Sequence, residues 1–365
     1  MIVALNFIAL PDTQAAGAYR YIARMLKMMR YYAIEDTIFH IYKQKHIPDN
    51  FFQIPSNLKV KYIDVPTIGR GIKRVIFEQT FFYKYILPCD IMYSYCTSMP
   101  LMVHAYKVFT LHDVYSFSNS KRHGLIQRIY LRLTTRMYIK TVDEIITVSE
   151  YSKQEIKKHL LVPHNKLSIT HNFLLPEETQ HSQTKWTYKG KPYFLFIGSI
   201  LPHKNIIGMV DGFIKFNKNN KYELKIVGKL AGEQEIILEH IKLSSDIQLL
   251  GYQSDEEISH LYQNCIGVVL LSFCEGFGIP PLEGFSYGKP ALVANTSSLP
   301  EVVGKAGILV DPYDINAIAN GYQEFIDKQH ILQQHIPTQL AKFNPYDSCE
   351  QFMHILKIKY KRYES

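Results

Sequence analysis

Two glutamates, Glu275 and Glu283, flank a turn rich in glycine and proline and have seven residues between them. The turn follows the continuous apolar run Ile266–Ser272, which predicts a strand buried on both faces of a parallel sheet. Gly276 and Gly278 allow a tight loop, and the two prolines that come next fit the first positions of a helix. The sequence therefore predicts a βαβ unit with one carboxylate in the loop and the other in the first turns of the helix.

These carboxylates would stand where open α/β sheets bind ligands, outside the carboxyl ends of parallel strands. Free N–H groups at the start of a helix attract anions such as phosphate, and carboxylates accept hydrogen bonds from hydroxyl groups. A nucleotide sugar, which has phosphates between two polyhydroxyl parts, fits both requirements. The spacing alone is equally compatible with two ordinary surface glutamates, because paired glutamates are common.

Two lysines follow two further strands in the second half of the chain. Lys204 comes after the apolar run Tyr193–Ile197, where Asn205 is expected to cap a helix, and Lys229 follows the run Leu224–Gly228. At neighbouring strand ends, two cations would neutralise a diphosphate leaving group. Taken singly, each lysine is an ordinary exposed charge.

A histidine ends another predicted strand, in the run KVFTLHDV at Lys107–Val114. His112 would reach a ligand from the carboxyl end of that strand. From the residues alone, a lone histidine is more often structural than functional.

Three longer motifs resemble those of a known family. EGFGIPPLEGFSYGKP, SSLPEV and GILVDPYD, which together span Glu275–Asp314, are similar to the retaining glycosyltransferases of family 4, in the mannosyltransferase-like bacterial branch. The similarity runs over nearly the whole chain, is strongest from about Gly198 to Asp314 and is weaker before Thr110. It implies the α/β fold called GT-B, in which two Rossmann-like domains face each other across a cleft and a C-terminal helix crosses back to the first domain.

The resemblance also implies roles for single residues. Glu275 would contact the transferred sugar, Glu283 the ribose, and Lys204 the diphosphate. His112 would hydrogen-bond the sugar or stabilise developing charge, so that Glu275, His112 and Lys204 form the catalytic set, with no metal ligands. The other residues expected to bind the donor are Gly17, Ser199, Lys229, Tyr252, Gly276, Phe277, Gly278 and Ile279.

Two positions depart from the family pattern. Many relatives have an arginine directly after the glycine at position 198, whereas this chain has Ser199. In the mannosyltransferase-like branch an arginine often precedes the lysine, and here His203 takes that place. Either diphosphate binding is weaker, or His203 contributes when it is protonated.

Length and composition indicate two domains of a soluble globular protein, since 365 residues exceed a single typical core and 20% of them are charged. We expect an N-terminal acceptor-side domain over 1–175 and a nucleotide-sugar-binding domain over 191–342. The polar, turn-rich stretch 174–190 would join them, and 343–365 would form the C-terminal helix. The five cysteines are scattered without metal-like spacing, which favours a reduced, cytoplasmic setting.

The first half of the chain is basic. Residues 1–185 hold 24 Lys and Arg against 14 Asp and Glu, giving +10, whereas the remainder holds 17 against 19, giving −2. This excess suits an anionic acceptor or an anionic membrane surface, and no nucleic-acid-binding motif accompanies it. Arg70–Leu87 is either a helix that touches lipid or a packed helix whose Lys73, Arg74 and Lys84 reach water. Lys121–Lys140 is a second basic helix.

The predicted function is therefore metal-independent transfer of a hexose with retained configuration. The donor is a GDP- or UDP-sugar, with mannose as the first expectation, and no cofactor beyond this substrate is implied. The acceptor is a glycan or lipid-linked glycan of surface polysaccharide synthesis, reached from the cytoplasm or the inner membrane face.

Two alternatives remain at this point. A non-catalytic protein that binds sugar nucleotides or glycans on the same fold is compatible with Ser199. An oxidoreductase that uses a dinucleotide is poorly supported, because the first strand-to-helix turn lacks the GxGxxG pattern.

Overall fold

The protein is described from a computed structural model, which covers residues 1–9, 17–68, 72–95, 98–115, 117, 125–179, 188–229 and 234–362. The chain forms two units. The first contains the described residues of 1–118, 123–175 and 345–365, and the second contains those of 176–344.

Strands and helices are numbered here in chain order over the described residues. The strands are β1 (Ile2–Asn6), β2 (Tyr32–Ile34), β3 (Ile38–Gln44), β4 (Lys59–Val65), β5 (Ile91–Ser94), β6 (Tyr106–Thr110), β7 (Glu144–Thr147), β8 (Leu167–Ile169), β9 (Tyr193–Ile197), β10 (Glu223–Val227), β11 (Ile247–Gly251), β12 (Gly267–Leu270), β13 (Ala291–Ala294), β14 (Gly307–Val310) and β15 (Tyr360–Arg362). The helices are α1 (Gly17–Met28), α2 (Ile72–Thr80), α3 (Leu125–Thr141), α4 (Glu150–Leu160), α5 (Pro176–Thr179), α6 (Ile206–Phe216), α7 (Gln234–Lys242), α8 (Asp255–Asn264), α9 (Ile279–Ser286), α10 (Leu299–Val303), α11 (Ile315–Ala341) and α12 (Pro345–Ile355).

The first unit is built on a parallel sheet in the order β4-β3-β1-β5-β6-β7-β8. Its central strands are apolar and buried on both faces, as expected for a parallel sheet covered by helices. Val3 of β1 lies opposite Phe39 on one side and Ile91 on the other. The chain moves outward from β1 to β4 and then returns to β5 beside β1, so the strand order reverses between β1 and β5.

The second unit has the same design, with a parallel sheet in the order β11-β10-β9-β12-β13-β14. Here the order reverses between β9 and β12. An aromatic cluster lies between the sheet and α11, where Phe194 packs against Tyr322 and Phe325 at centroid distances of 4.8 and 5.3 Å. The prediction of two Rossmann-like domains is confirmed by these two sheets.

The C-terminal segment packs on the first unit. Phe352 of α12 is fully buried and meets the rings of Tyr21 and Tyr93 edge to face. The helix ends at Ile355, before the end of the predicted 343–365 helix. Lys357 has a left-handed backbone (φ 53°), and β15 then pairs antiparallel with β2.

Two local expectations are corrected by the structure. Asn205 occupies the N-cap position of α6, but its side chain makes no cap hydrogen bond and instead donates to the carbonyl of Pro312 at 2.8 Å. Arg74 does not simply reach water, because its guanidinium pairs with the buried carboxylate of Glu78 at 3.0 Å.

In the part of the chain that the structure describes, no helix combines the length and the apolar character that crossing a bilayer requires.

Removing the aromatic ring of Phe352 should loosen the C-terminal segment from the first unit. We expect Phe352→Ala to lower the free energy of unfolding by about 3–5 kcal/mol, the usual cost of a large cavity. Phe81→Ala is the matched control, since this ring is 52% exposed and its loss should cost about 0.5 kcal/mol. Urea unfolding followed by circular dichroism compares the two, and similar losses would contradict the assigned packing.

Candidate active site

The loop between β12 and α9 carries Glu275, which is held by an ion pair and a hydrogen bond. Lys204 Nζ lies 2.5 Å from Glu275 Oε1, and Ser272 Oγ donates to the same oxygen at 2.7 Å. β9 and β12 are neighbours in the sheet, and Lys204 and Glu275 follow their carboxyl ends. The pair therefore stands where the strand order reverses, the usual ligand-binding point of such sheets.

The charge on Glu275 is fixed by this environment. Burial would raise the pKa of its carboxyl group, but the Lys204 ammonium and the hydrogen bonds from Lys204 and Ser272 lower it. His203 lowers it further through its proximity, and the net pKa lies below the ordinary value. Glu275 is therefore a carboxylate at neutral pH and cannot serve as a proton donor there.

Two serines fix the backbone of the same loop. Ser297 Oγ accepts a hydrogen bond from the Glu275 amide at 3.0 Å. Ser298 Oγ is placed to donate to the carbonyls of Glu275 and Phe277, at 3.1 and 2.8 Å. Both serines belong to the turn between β13 and α10, so the loop is braced by the next βα connection.

Gly278 is required where the loop enters α9. Its φ of 105° lies in the left-handed region, and an added Cβ would stand 2.7 Å from Leu299 Cδ2. The two prolines at the start of α9 have no N–H group, so the amides that face an anion here must come from the loop and from Ile279.

Glu283 lies on α9 and is oriented by a tyrosine that the sequence analysis did not identify. Tyr262 of α8 donates to Glu283 Oε2 at 2.7 Å, and its ring stacks on Tyr287 at 5.2 Å. Burial, with Glu283 nearby, raises the pKa of Tyr262, so it remains a phenol and a donor. The only sequence signal was a tyrosine at a core-facing position of a helix.

The carboxyl ends of β9, β10 and β11 carry Ser199, Lys229 and Tyr252, which the sequence analysis expects to bind the donor. Gly228 allows the close approach, since a Cβ there would lie 1.8 Å from the carbonyl oxygen of Gly198. Lys229 is exposed, with Nζ 5.6 Å from the ring centre of the exposed Tyr252. Ser199 is also exposed at the end of β9.

A cavity of about 370 Å³ lies beside the Lys204 turn. Its walls include Leu201 and Pro202 from that turn, together with Phe273 and Tyr313, whose rings stack at 4.7 Å. Phe273 begins the Glu275 loop, and its amide donates to the carbonyl of His203 at 2.8 Å. The segments that carry Lys204 and Glu275 are thus tied to each other by backbone as well as by charge.

His112 belongs to the first unit and follows the end of β6. Its Nε2 lies 3.1 Å from the carbonyl oxygen of Tyr95, and Ser152 Oγ donates to the His112 carbonyl. Burial lowers the pKa of His112, against the opposing effects of Asp113 and the Tyr95 hydrogen bond. The imidazole is therefore neutral at pH 7; because a carbonyl only accepts, Nε2 carries the proton and Nδ1 is an acceptor.

Gly17 is the first residue of α1 and is exposed. The preceding loop, residues 10–16, lies outside the described residues, as do Cys96, the middle of the predicted linker (180–187) and the beginning of the predicted basic helix (121–124).

Two family models of glycosyltransferases match this chain. The family model described as "Glycosyl transferases group 1" matches residues 177–341, and the model described as "Glycosyltransferase Family 4" matches residues 69–178. The two matches together include all of the predicted donor-side residues of the second unit.

Two curated relatives are similar in sequence. O-antigen chain mannosyltransferase B of Escherichia coli is 31% identical over 224 residues, which are 58% of this chain and 59% of that protein. The chain thus matches less than two thirds of that relative's length. O-antigen chain mannosyltransferase RfbU of Salmonella typhimurium is 26% identical over 95% of this chain and 94% of its own.

A solved structure shares the fold. The crystal structure of WaaG, a glycosyltransferase involved in lipopolysaccharide biosynthesis, superposes with a TM-score of 0.72 at 14% identity, covering 97% of this chain and 99% of WaaG. The fold class predicted from the sequence is confirmed by this likeness.

Replacing Lys204 should expose the electrostatic role of the pair. Lys204→Met leaves a largely buried carboxylate without its cation, and we expect the free energy of unfolding at neutral pH to fall by about 1–3 kcal/mol. Because the folded-state pKa of Glu275 is lowered, the pair stabilises the protein above the unfolded-state pKa, and this contribution is lost as pH falls through the folded-state pKa.

The difference between parent and Lys204→Met should therefore shrink as the pH falls below the ordinary glutamate pKa of about 4.3. Urea unfolding at a series of pH values measures it. Lys229→Met, which removes an exposed lysine from the same unit, serves as the control and should show no such trend. A pH-independent difference would mean that the ion pair is not the source of the effect.

Proposed function

The chain belongs to glycosyltransferase family 4, with the GT-B fold, and from that premise we propose that it transfers mannose from a nucleotide sugar to a hydroxyl group of a glycan or lipid-linked glycan. The two O-antigen mannosyltransferases to which it is similar support mannose and surface polysaccharide synthesis. The observation that carries the proposal is the Lys204–Glu275 pair at the strand reversal of the second unit.

In this proposal Glu275 and Glu283 bind different parts of the donor. Glu283, oriented by the Tyr262 hydroxyl, would accept hydrogen bonds from the ribose. Glu275 would accept from hydroxyls of the mannose and stabilise the positive charge that develops on that ring, which its ionised state favours. Lys204 and Lys229 would neutralise the diphosphate as it departs.

We propose retention of the anomeric configuration. The nucleoside diphosphate leaves, the acceptor hydroxyl attacks from the same face, and the departing phosphate oxygen takes the acceptor proton. This route needs no protein acid, which agrees with a Glu275 that is anionic at neutral pH. Neutral His112, with an acceptor nitrogen at Nδ1, would hydrogen-bond a mannose hydroxyl.

The donor base follows from the relatives rather than from side chains. In the proposed complex, the backbone near Tyr252 contacts the base, and a backbone contact does not select between bases. We propose a guanosine nucleotide because the relatives are mannosyltransferases. Ser199 provides no cation at a position where many family members have one, and His203, which lies close enough to lower the pKa of Glu275, would contribute when protonated.

A non-catalytic sugar-nucleotide-binding protein is the second candidate, and the exposed Ser199 is the feature that favours it. Incubation with a panel of GDP- and UDP-hexoses separates the two functions. A transferase releases nucleoside diphosphate over time when acceptor is present, whereas a binding protein retains the intact donor.

Replacing Glu275 should mainly reduce the rate of transfer, whereas replacing Glu283 should mainly reduce the affinity for GDP. Glu275→Gln should reduce transfer at least a hundredfold while leaving the affinity for GDP within about threefold, because its partner is the sugar. Glu283→Gln should weaken GDP binding about tenfold, since a hydrogen bond to a charged group is worth ~1.5–3 kcal/mol. Calorimetry and donor-consumption assays measure both quantities, and parent-like behaviour of both variants would refute these roles.

Attachment to an anionic bilayer is the second part of the proposal. In the first unit, exposed apolar residues stand beside exposed cations on two helical segments. They are Ile72, Ile76, Phe81 and Tyr83 with Lys73 and Lys84, and Ile129, Leu133 and Met137 with Arg136. Isoleucine and leucine side chains would enter the interface, while the lysines and arginine meet the anionic headgroups.

Reversing charge on this surface should release the protein from membranes. We expect the parent to co-sediment with anionic liposomes at low salt, and Lys73→Glu combined with Lys84→Glu to bind at least tenfold more weakly, because each basic residue contributes about 1 kcal/mol. Lys218→Glu with Lys221→Glu, on the second unit, is the matched control. If liposome binding depends neither on salt nor on either pair of lysine substitutions, a soluble acceptor would be the better proposal.

A further inference from the structure

A second cation–carboxylate pair stands at the strand reversal of the first unit. Asn6 ends β1 and Ser94 ends β5, and Asn6 Nδ2 donates to Ser94 Oγ at 3.2 Å across the reversal. The same nitrogen donates to Glu78 Oε1 at 2.5 Å. By the rule that places ligands at the carboxyl ends of strands where their order reverses, this is the expected binding point of the first sheet.

Helix α2 supplies the charged residues of this cluster. The Glu78 side chain is fully buried, and Arg74 Nη1 donates to Glu78 Oε2 at 3.0 Å and to Ser98 Oγ at 2.7 Å. Gln79 fixes the loop that carries Ser98, through hydrogen bonds to the Met99 carbonyl and from the Leu101 amide. The guanidinium is thus held by two contacts, one to Glu78 on its own helix and one to Ser98 in the loop after β5.

Stability alone does not account for such a pair. Removing two charges from water costs several kcal/mol per ion, and apolar residues of equal volume commonly stabilise a protein as well or better. Arg74 makes its hydrogen bonds to the described residues through Nη1, while its side chain remains 12% exposed. Nε and Nη2 can then present the planar, two-pronged donor face that matches a phosphate group.

The side of α2 opposite Arg74 and Glu78 is apolar and exposed. Ile72 and Ile76 are 66% and 53% exposed and lie about 200° around the helix from Arg74 and Glu78. Helix α2 therefore has a fixed guanidinium on one side and exposed isoleucines on the other. These features match a ligand with an anionic head and an apolar tail. The +10 charge of residues 1–185 favours the same anionic ligand.

We propose that Arg74, anchored by Glu78, binds the phosphate group of a lipid-linked acceptor, so that the lipid follows the exposed face of α2. This inference rests on the proposed glycosyl transfer, because it assigns the acceptor's head to the first unit. Glu78 and Asn6 act as positioning residues for the guanidinium and do not contact the ligand.

The test uses the full chain and farnesyl diphosphate as the probe, with GDP present in excess so that the Lys204 region is occupied. Calorimetry should show binding that weakens at least tenfold in Arg74→Met. Inorganic pyrophosphate should compete and farnesol should not, which separates the phosphate head from the lipid tail. Lys59→Met, which removes an exposed lysine of β4 outside this surface, should bind the probe within about threefold of the parent.

Two further variants keep the test decisive if Arg74→Met folds poorly. The combined Arg74→Met and Glu78→Leu variant removes both charges, should fold, and should lose probe binding to the same extent. Glu78→Gln retains the guanidinium but loosens its anchor, so probe binding should weaken by a smaller factor than in Arg74→Met.

GDP affinity separates this inference from the proposed donor site. Lys204→Met should lose GDP affinity and keep probe affinity, and the Arg74 variants should do the reverse. Probe binding that is unchanged in the folded double variant, or equal affinity for farnesol and farnesyl diphosphate, would overturn the role of Arg74. Loss of GDP binding by the parent itself would instead count against the proposed transferase.

Discussion

The ion pair between Lys204 and Glu275 is the contact on which the arrangement of the second unit depends. It joins the segments that follow β9 and β12, the two strands between which the order of the sheet reverses. A carboxylate buried to this degree is tolerated only because an ammonium and a hydroxyl compensate it. The serines after β13 and the left-handed glycine before α9 then hold the loop in the one conformation that places both glutamates on the same edge of the sheet.

The first unit also has a partly buried ion pair at its strand reversal, but it is formed by different residues. Its strand reversal also carries a cation and a carboxylate, Arg74 and Glu78, but both come from one helix. Asn6 at the end of β1 binds the carboxylate, and Ser98 in the loop after β5 binds the guanidinium. An arginine in place of a lysine changes the chemistry, because a planar guanidinium can hold its partner with one nitrogen and meet a ligand with the others. The two sheets therefore share a topology and differ in the groups that they present.

The sheet edge where Lys204 and Glu275 meet could be predicted from the sequence, because strand ends are visible as apolar runs and the glutamates stand at fixed distances from them. Tyr262 and the Arg74–Glu78 pair could not, because each depends on a contact between segments that are distant or on burial that a charged residue does not reveal. Asn205 illustrates the limit of local rules. Its position before α6 predicted a cap, but a left-handed backbone and the nearby Pro312 carbonyl redirected the side chain.

The central claim is that the Lys204–Glu275 edge binds the diphosphate of a nucleotide sugar. Calorimetric titration with guanosine, GMP, GDP and GDP-mannose tests it most directly. The account predicts that affinity rises with each phosphate, by ~1.5–3 kcal/mol for a charged hydrogen bond, and that Lys204→Met reduces the gain from the second phosphate. Equal affinities for guanosine and GDP, or a gain that is undiminished in Lys204→Met, would contradict it.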